Sequence, residues 1–413
     1  DGWRKRKQRR RLISKRWQLM ILDDETLNWI ELNAKADASA LRLKYAGDSQ
    51  KSFAILQIEC RRKAASKLKE TLECKEFIFP NSLSAEQCTS DILARFHASL
   101  IRGNAVLDMT AGLCIDAFHI ANTGCKVTAI EQNEALVEAA KHNSSALVIE
   151  EFEIINTDSV EWIKSTQCKF DTIFIDPARR GEGGKRIFAL SDCAPNVVEL
   201  LPVLRQKCSR LVVKASPMLD ISSMFNSLGC NTAIYITGSP TECKEVVAVI
   251  DFDKELTSSI SAVTLSESIR NIFTFTPREE NDAISAFSEP AKGMYLYEPY
   301  PAAMKSGGFS IMSARFGAWK LDPNTHLYIS DKNLPDFPGE RFEIIDILPF
   351  VKPVIKSFSN EFPVINLSAR NFTMKPAELA KKLKIKEGGN MRLFATKVLG
   401  HLKLIVALPA YQK

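Results

Sequence analysis

Four carboxylates mark where this chain could do chemistry. Asp108, Glu131, Asp158 and Asp176 each close or closely follow a short apolar run, in "AVLDM", "KVTAIE", "FEIINTD" and "FDTIFID". An acidic side chain at the end of a buried strand can accept hydrogen bonds from hydroxyls and amines or face a cation. Between the first two lies "MTAGLCID", which turns from strand to helix on Gly112. A glycine there lets backbone approach a ligand where a side chain would collide, and the helix that follows aims its first N–H groups at the same spot. Glu131 comes 23 residues after Asp108, where an acidic side chain can accept from both hydroxyls of a ribose.

A turn built for a pyrophosphate wants G-x-G-x-x-G, and this one has a single glycine. A ligand with a ribose, an adenine and a positive centre but no pyrophosphate fits better. S-adenosylmethionine (SAM) is such a ligand, and Asp108 would answer its cation and amino group. In "IDPARR" (175–180), Asp176 can hydrogen-bond or deprotonate an acceptor nitrogen or oxygen, Pro177 stiffens the turn, and Arg179 and Arg180 can clamp a phosphate. Lys214 and Ser216 in "VVKASP" either line the cleft or end a strand. His119 reads as a packed or solvent-facing histidine rather than a catalyst.

The elements that must hold these residues alternate from residue 104 onward. Apolar strands at "AVLDM", "KVTAIE", "FEIINTD", "FDTIFID", "RLVVKAS", "TAIYITG" and "EVVAVIDF" are separated by helical patterns such as "NEALVEAAKHN" and "ISSMFNSL". That cadence implies right-handed crossovers in a mainly parallel, doubly wound α/β sheet. The last two strands are joined by "SPTECK" alone and should pair as an antiparallel hairpin at one sheet edge. Residues 17–100 read as a separate, mostly helical domain, 101–254 as the α/β core, 255–292 as a linker and 293–413 as a smaller α+β domain. Residues 1–16, with nine Lys/Arg and a net charge of +8, are expected to be a disordered leader.

Composition narrows the function classes. No apolar run is long enough to span a bilayer and no signal-like segment opens the chain, so a cytoplasmic protein is expected. Ten cysteines without a C-x-x-C pair and five scattered histidines argue against a metal site or a disulfide framework. Charge is segregated: residues 370–413 also carry +8, so an acidic middle lies between two basic ends suited to a polyanion.

Taken together, Asp108 with Gly112, Glu131, "NTDS" (156–159) and "DPARR" (176–180), followed by a closing hairpin, resemble a class I SAM-dependent methyltransferase. The stretches "YLYEPYPAAMKSGGFS", "LDPNTHLYIS" and "RNFTMKPAELAKKLKIKEGGN" are similar to a smaller family of such enzymes, in which a THUMP-like domain follows the core. "FPNSLSAEQCTSDILARFHASL" (79–100) resembles the segment before that core, and the likeness covers roughly residues 50–413. The resemblance implies a seven-stranded Rossmann-like sheet with SAM as cofactor. It places Asp108 and Gly112 at the methionine end of the cofactor, with Thr110 and Asp116 also in the cofactor site. It gives Glu131 the ribose, Asp158 the adenine amino group, and Asp176 the catalytic end of the fourth strand. Relatives are expected to read glycine where this chain has Ala111 and Cys114.

"DPAR" also resembles a motif of enzymes that methylate carbon 5 of uracil, which need a cysteine after the fifth strand. Here that stretch is "VVKASPMLD", and Cys208 precedes the strand. Methylation of a base nitrogen or ribose oxygen without a covalent enzyme intermediate is therefore expected. The THUMP-like resemblance implies a transfer or ribosomal RNA substrate, with Lys381 and Lys382 among the residues that meet it. Two other classes stay open: a small-molecule or protein methyltransferase, whose activity would be insensitive to salt, and a SAM-binding module without turnover.

Overall fold

The computed structural model describes residues 22–179, 189–229, 231–254 and 257–410. The expected leader at 1–16 and Arg180 lie outside them. The chain divides into two compact units, residues 1–232 with 247–256, and residues 233–246 with 257–413.

The first unit opens with helices Asp24–Leu32, Ala38–Lys44, Ser49–Ala64, Ser82–Gln87 and Asp91–Leu100. Each starts where a short polar side chain can accept from the exposed N–H groups of the first turn: Asp23, Asp37, Asp48, Asn81 and Ser90. These helices do not form the separate domain expected for 17–100. Cys60, Leu68, Phe77 and Phe79 are buried in the same core cluster as Val106, Ile115, Phe118 and Val127. The apolar segment "FIFP" needs that shared core, and two amides clamp its backbone. Gln57 Nε2 donates to Phe79 O while Phe79 N donates to Gln57 Oε1, and Asn143 holds Ile78 in the same way.

The strands of this unit are β1 (Ala105–Asp108), β2 (Lys126–Glu131), β3 (Phe152–Asn156), β4 (Phe170–Ile175), the short antiparallel pair β5 (Ala178–Arg179) and β6 (Cys193–Ala194), and β7 (Cys208–Ala215). The order runs β7-β4-β1-β2-β3, all parallel. Two further strands follow, β8 (Thr232–Gly238) and β9 (Cys243–Asp251). Beyond Val247, β9 belongs to the first unit, beside β7.

In the second unit β8 turns into the start of β9 through Ser239–Glu242, where Ser239 N donates to Glu242 O at 2.9 Å. The hairpin is present but β8 is not an edge. Residues 255–292, expected to be linker, instead supply β10 (Ser259–Leu265), β11 (Arg270–Phe275) and helix Pro277–Asp282. β10 pairs parallel with β8 and antiparallel with β11, extending the strand order beyond the seven expected. Ser261 and Thr264, read as linker residues, are here buried alongside Ile260, Ala262 and Val263, and Thr274 stands between buried Phe273 and Phe275 on a pleated strand.

The rest of the unit is a second sheet, made of β12 (Tyr295–Pro299), β13 (Trp319–Asp322), β14 (Thr325–Ser330), β15 (Gly339–Pro349), β16 (Asn366–Arg370), β17 (Arg392–Val398) and β18 (His401–Pro409). Its order is β13-β14-β12-β15-β18-β17-β16, antiparallel except for β16 with β17. Helices Lys352–Glu361 and Pro376–Leu383 bury Phe358, Leu379 and Leu383 with Leu393 and Leu404 of the sheet. Among the described residues no helix is long and apolar enough to cross a membrane, and no group of His, Cys, Asp and Glu could hold a metal ion.

Candidate functional site

Strand register brings the acidic residues together. Asp108 at the end of β1 stands opposite Ala129 of β2 and Phe174 of β4, so Glu131 and Asp176 follow two residues later on either side. Glu131 in turn faces Asn156 of β3, two residues before Asp158, and Ile175 of β4 faces Val213 of β7, one before Lys214. Parallel pairing thus gathers at one rim residues that the chain spreads over 107 positions, from 108 to 214.

Hydrogen bonds stitch the turn after β1 to both neighbours. Met109 N donates to Phe174 O and Ala111 N to Ile130 O, and Asp176 N donates to Thr110 Oγ1 at 2.6 Å. Gly112 has φ +53°, and among the described residues a Cβ built on it would meet only Thr110 O, at 3.9 Å. The backbone there is left-handed, and no other described residue crowds that position. Gly112 N donates to Glu131 Oε2 (3.1 Å) and Asn133 N to Glu131 Oε1 (2.8 Å), which fixes that carboxylate in place. Cys114 also adopts a left-handed conformation, φ 65°, and is buried. A non-glycine residue there costs about 1–2 kcal/mol, which explains why relatives were expected to read glycine at this position. Ala111 is not among the positive-φ residues and needs no such account.

Asp108 is 2 % exposed and accepts from Thr110 N. Burial pushes its carboxyl up to about 7, against the Thr110 N–H; repulsion by Asp116 and Asp176 adds to the rise, while Lys214 opposes it. Asp116 goes the other way. Burial would raise it, but the Lys214 and His97 charges and hydrogen bonds from His97 and Thr89 hold it well below the usual carboxylate range. The Asp116 carboxylate reaches toward the helix before β1. Its Oδ1 lies 2.7 Å from His97 Nδ1, and its Oδ2 accepts from Thr89 Oγ1 at 2.6 Å. Lys214, 9 % exposed, places Nζ 2.7 Å from Asp176 Oδ2, 3.5 Å from Asp116 Oδ2 and 2.8 Å from Thr89 Oγ1. Its charge faces carboxylates, so Lys214 is part of the acidic cluster rather than a free anion contact.

Other expected residues fall as follows. Asp158 caps helix Ser159–Ser165, its Oδ1 accepting from Val160 N and Glu161 N. Pro177 connects Asp176 to β5, which contains Arg179. Ser216 closes a turn after β7, its Oγ accepting from Met218 N. His119 Nε2 lies 3.0 Å from Asp91 Oδ1, away from the cluster, as its packed reading expects. Lys381 and Lys382 are exposed in the last turn of their helix in the second unit, with Lys382 Nζ 5.5 Å from the Phe350 ring centroid. Sequence reasoning passed over Thr89 and His97. The signal for His97 was a histidine on the apolar face of helix Asp91–Leu100, beside Leu93, Ala94 and Phe96. It also passed over Cys193, which pairs with Arg179 across β5 and β6 but is buried, its Sγ near Ala189 O.

Comparison with known proteins agrees with this geometry. Residues 91–179 match a SAM-dependent methyltransferase family model, 295–338 a ferredoxin-like domain and 339–409 a THUMP domain-like model. An uncharacterised SAM-dependent methyltransferase of Mycobacterium tuberculosis is 24% identical over 360 residues, covering 85% of this chain and 95% of that protein. A tRNA (uracil(54)-C(5))-methyltransferase of Pyrococcus horikoshii is 29% identical over 144 residues, 35% of this chain and 34% of its own. A crystal structure assigned as a methyltransferase from Porphyromonas gingivalis W83 superposes with a TM-score of 0.82 at 28% identity, covering 95% of this chain and all of that one.

Proposed function

The chain is a SAM-dependent methyltransferase with a THUMP-like domain, and from that premise we propose that it methylates transfer or ribosomal RNA, at a base nitrogen or a ribose oxygen, without a covalent enzyme intermediate. The observation that carries the reading is the rim itself: Asp108, Glu131 and Asp176 on adjacent parallel strands around a left-handed glycine. The residues present fit the cofactor. No described residue closes in on the Cβ position of Gly112, which leaves its backbone approachable, and among the described residues Asp108, Asp116 and Asp176 face Lys214, an acidic excess that suits a cation and disfavours a pyrophosphate. When bound, SAM supplies a methyl group on a positively charged sulfur.

The chain's own residues do the rest. Asp108 faces the cationic end, Thr110 and Gly112 shape the turn, and Asp116 acts from behind it. Glu131 accepts ribose hydroxyls on lone pairs not used by Gly112 N and Asn133 N. Asp158 keeps Oδ2 for the adenine amino group. Asp176, held by Pro177 and by the bond from its own N–H to Thr110, accepts the acceptor's proton or orients it. Arg179 and Arg180 follow Asp176 in sequence, Ser216 follows Lys214, and all three suit the phosphates and polar edges of RNA.

Support for RNA comes from the THUMP-like domain, the transfer-RNA relative and the basic C-terminal segment. That relative acts on carbon 5 of uracil, but Ser216 stands where a cysteine nucleophile would be needed, and Cys193 is buried. The test is transfer of labelled methyl from SAM into bulk transfer RNA, ribosomal RNA, protein and small molecules, with wild type beside Asp176→Ala. Label in one RNA class, reduced at least about 100-fold in the variant, is expected for loss of a proton-handling group. Label in protein or small molecules alone overturns the RNA reading.

A further inference from the structure

We propose that Lys214 is a positioning residue for methyl transfer, held by Thr89 and Asp116 with His97 behind them, and that it fixes the Asp176 carboxylate in orientation and charge. The proposal rests on the reading that Asp176 meets the acceptor. Its basis is a chain of contacts that runs from the core to the rim. The His97 side chain is fully buried, those of Asp116 and Lys214 are each 11 % exposed, and that of Asp176 is 40 % exposed. The direction of each hydrogen bond is forced. An ammonium only donates and a carboxylate only accepts, so the Thr89 hydroxyl accepts from Lys214 Nζ at 2.8 Å and donates to Asp116 Oδ2 at 2.6 Å.

A lysine has a flexible four-carbon stem, and on its own it would hold a neighbouring carboxylate loosely. Here Nζ is surrounded by acceptors from three elements: Thr89 before helix Asp91–Leu100, Asp116 in helix Ile115–Ala121, and Asp176 after β4. Asp108 at the end of β1 adds a fourth charged group facing the cluster. Burying such charges is costly, and losing one partner strands the others. A lysine serving only the core would need Asp116 alone, whereas this one reaches out to the residue at the rim.

The test reads the Asp176 carboxyl itself. Protein labelled with carbon-13 at aspartate Cγ, with Asp176→Asn assigning the signal, is titrated by NMR as wild type, Lys214→Met and Lys214→Arg. An opposite charge within hydrogen-bond range favours the ionised carboxyl, so in Lys214→Met the midpoint should move to higher pH by about 1–3 units, and Lys214→Arg should restore most of it. Equal midpoints in wild type and Lys214→Met overturn the proposal whether or not any RNA is methylated. Thr89→Val, which keeps the lysine but removes its tether, covers the case in which Lys214→Met does not fold. It should lower kcat for bulk transfer or ribosomal RNA about tenfold, with KM and calorimetric SAM affinity within about threefold; equal losses in SAM affinity and kcat would make the role merely structural. Failure of wild type to methylate RNA would sink the substrate reading and leave the titration to decide this one.

Discussion

Asp108 is a buried carboxyl at the rim whose titration is moved toward neutral pH. Its carboxyl titrates near 7 in the folded chain and near 3.8 when exposed, so between those values the folded state binds the extra proton. The Asp108 contribution to stability without ligand therefore falls as pH rises from about 4 to about 7, by up to about 1.4 kcal/mol per pH unit, while His326, held down to about 4 by burial, contributes in the opposite sense. Asp108→Asn should flatten that fall in denaturant titrations. It should also weaken SAM binding about 10- to 100-fold by calorimetry, because a charged hydrogen-bond partner is lost. A cation binds best to the ionised carboxyl, so wild-type SAM affinity should rise with pH through about 7. At Gly112 the expectation is different in kind. No described residue crowds its absent Cβ, so Gly112→Ala should cost about 1–2 kcal/mol through its left-handed backbone, measurable as a lowered Tm.

Among the elements, the parallel strands were legible and the edges were not. The seven apolar runs read from the sequence all fold as strands, and the central ones, such as β4 and β7, are buried along consecutive residues and so write themselves as continuous apolar runs. β10 and β11 were missed since their polar alternation looks like linker, and the site's second layer was missed for a related reason. Thr89 sits outside any periodic segment, and His97 is polar on an apolar face, so neither pattern advertised a contact with Asp116. Asp158 was placed correctly after its strand, but its capping of the next helix became visible only with the backbone in hand. One element junction makes a sharp prediction. Gly103, just before β1, has φ +78°, and a Cβ there would stand 2.2 Å from Asp171 Cβ, while Asp171 accepts from Asn104 N and Ala105 N. Gly103→Ala should cost about 2–4 kcal/mol in chemical denaturation, from backbone strain plus overpacking.

For the whole molecule, charge distribution sets the expectation. If the basic C-terminal region meets phosphates, RNA binding should weaken steeply with salt. Lys381→Ala combined with Lys382→Ala should then reduce the slope by about 1 for each lysine that makes such a contact, leaving SAM affinity unchanged. Filter binding across a salt series checks this, and an unchanged slope would remove these two lysines from the RNA surface.

The contacts of Thr89 and His97 with Asp116 also bear on modularity. The boundary suggested at residue 100 is where the texture of the chain changes, yet it separates Asp116 and Lys214 from groups that neutralise and tether them. Excising the sheet at that point would leave a carboxylate buried without two of its partners. A helical segment that looks like a preface is in this protein a share of the inheritance: the sheet is expected to be transplanted, fused or recombined intact only with Thr89 and the helix after it attached.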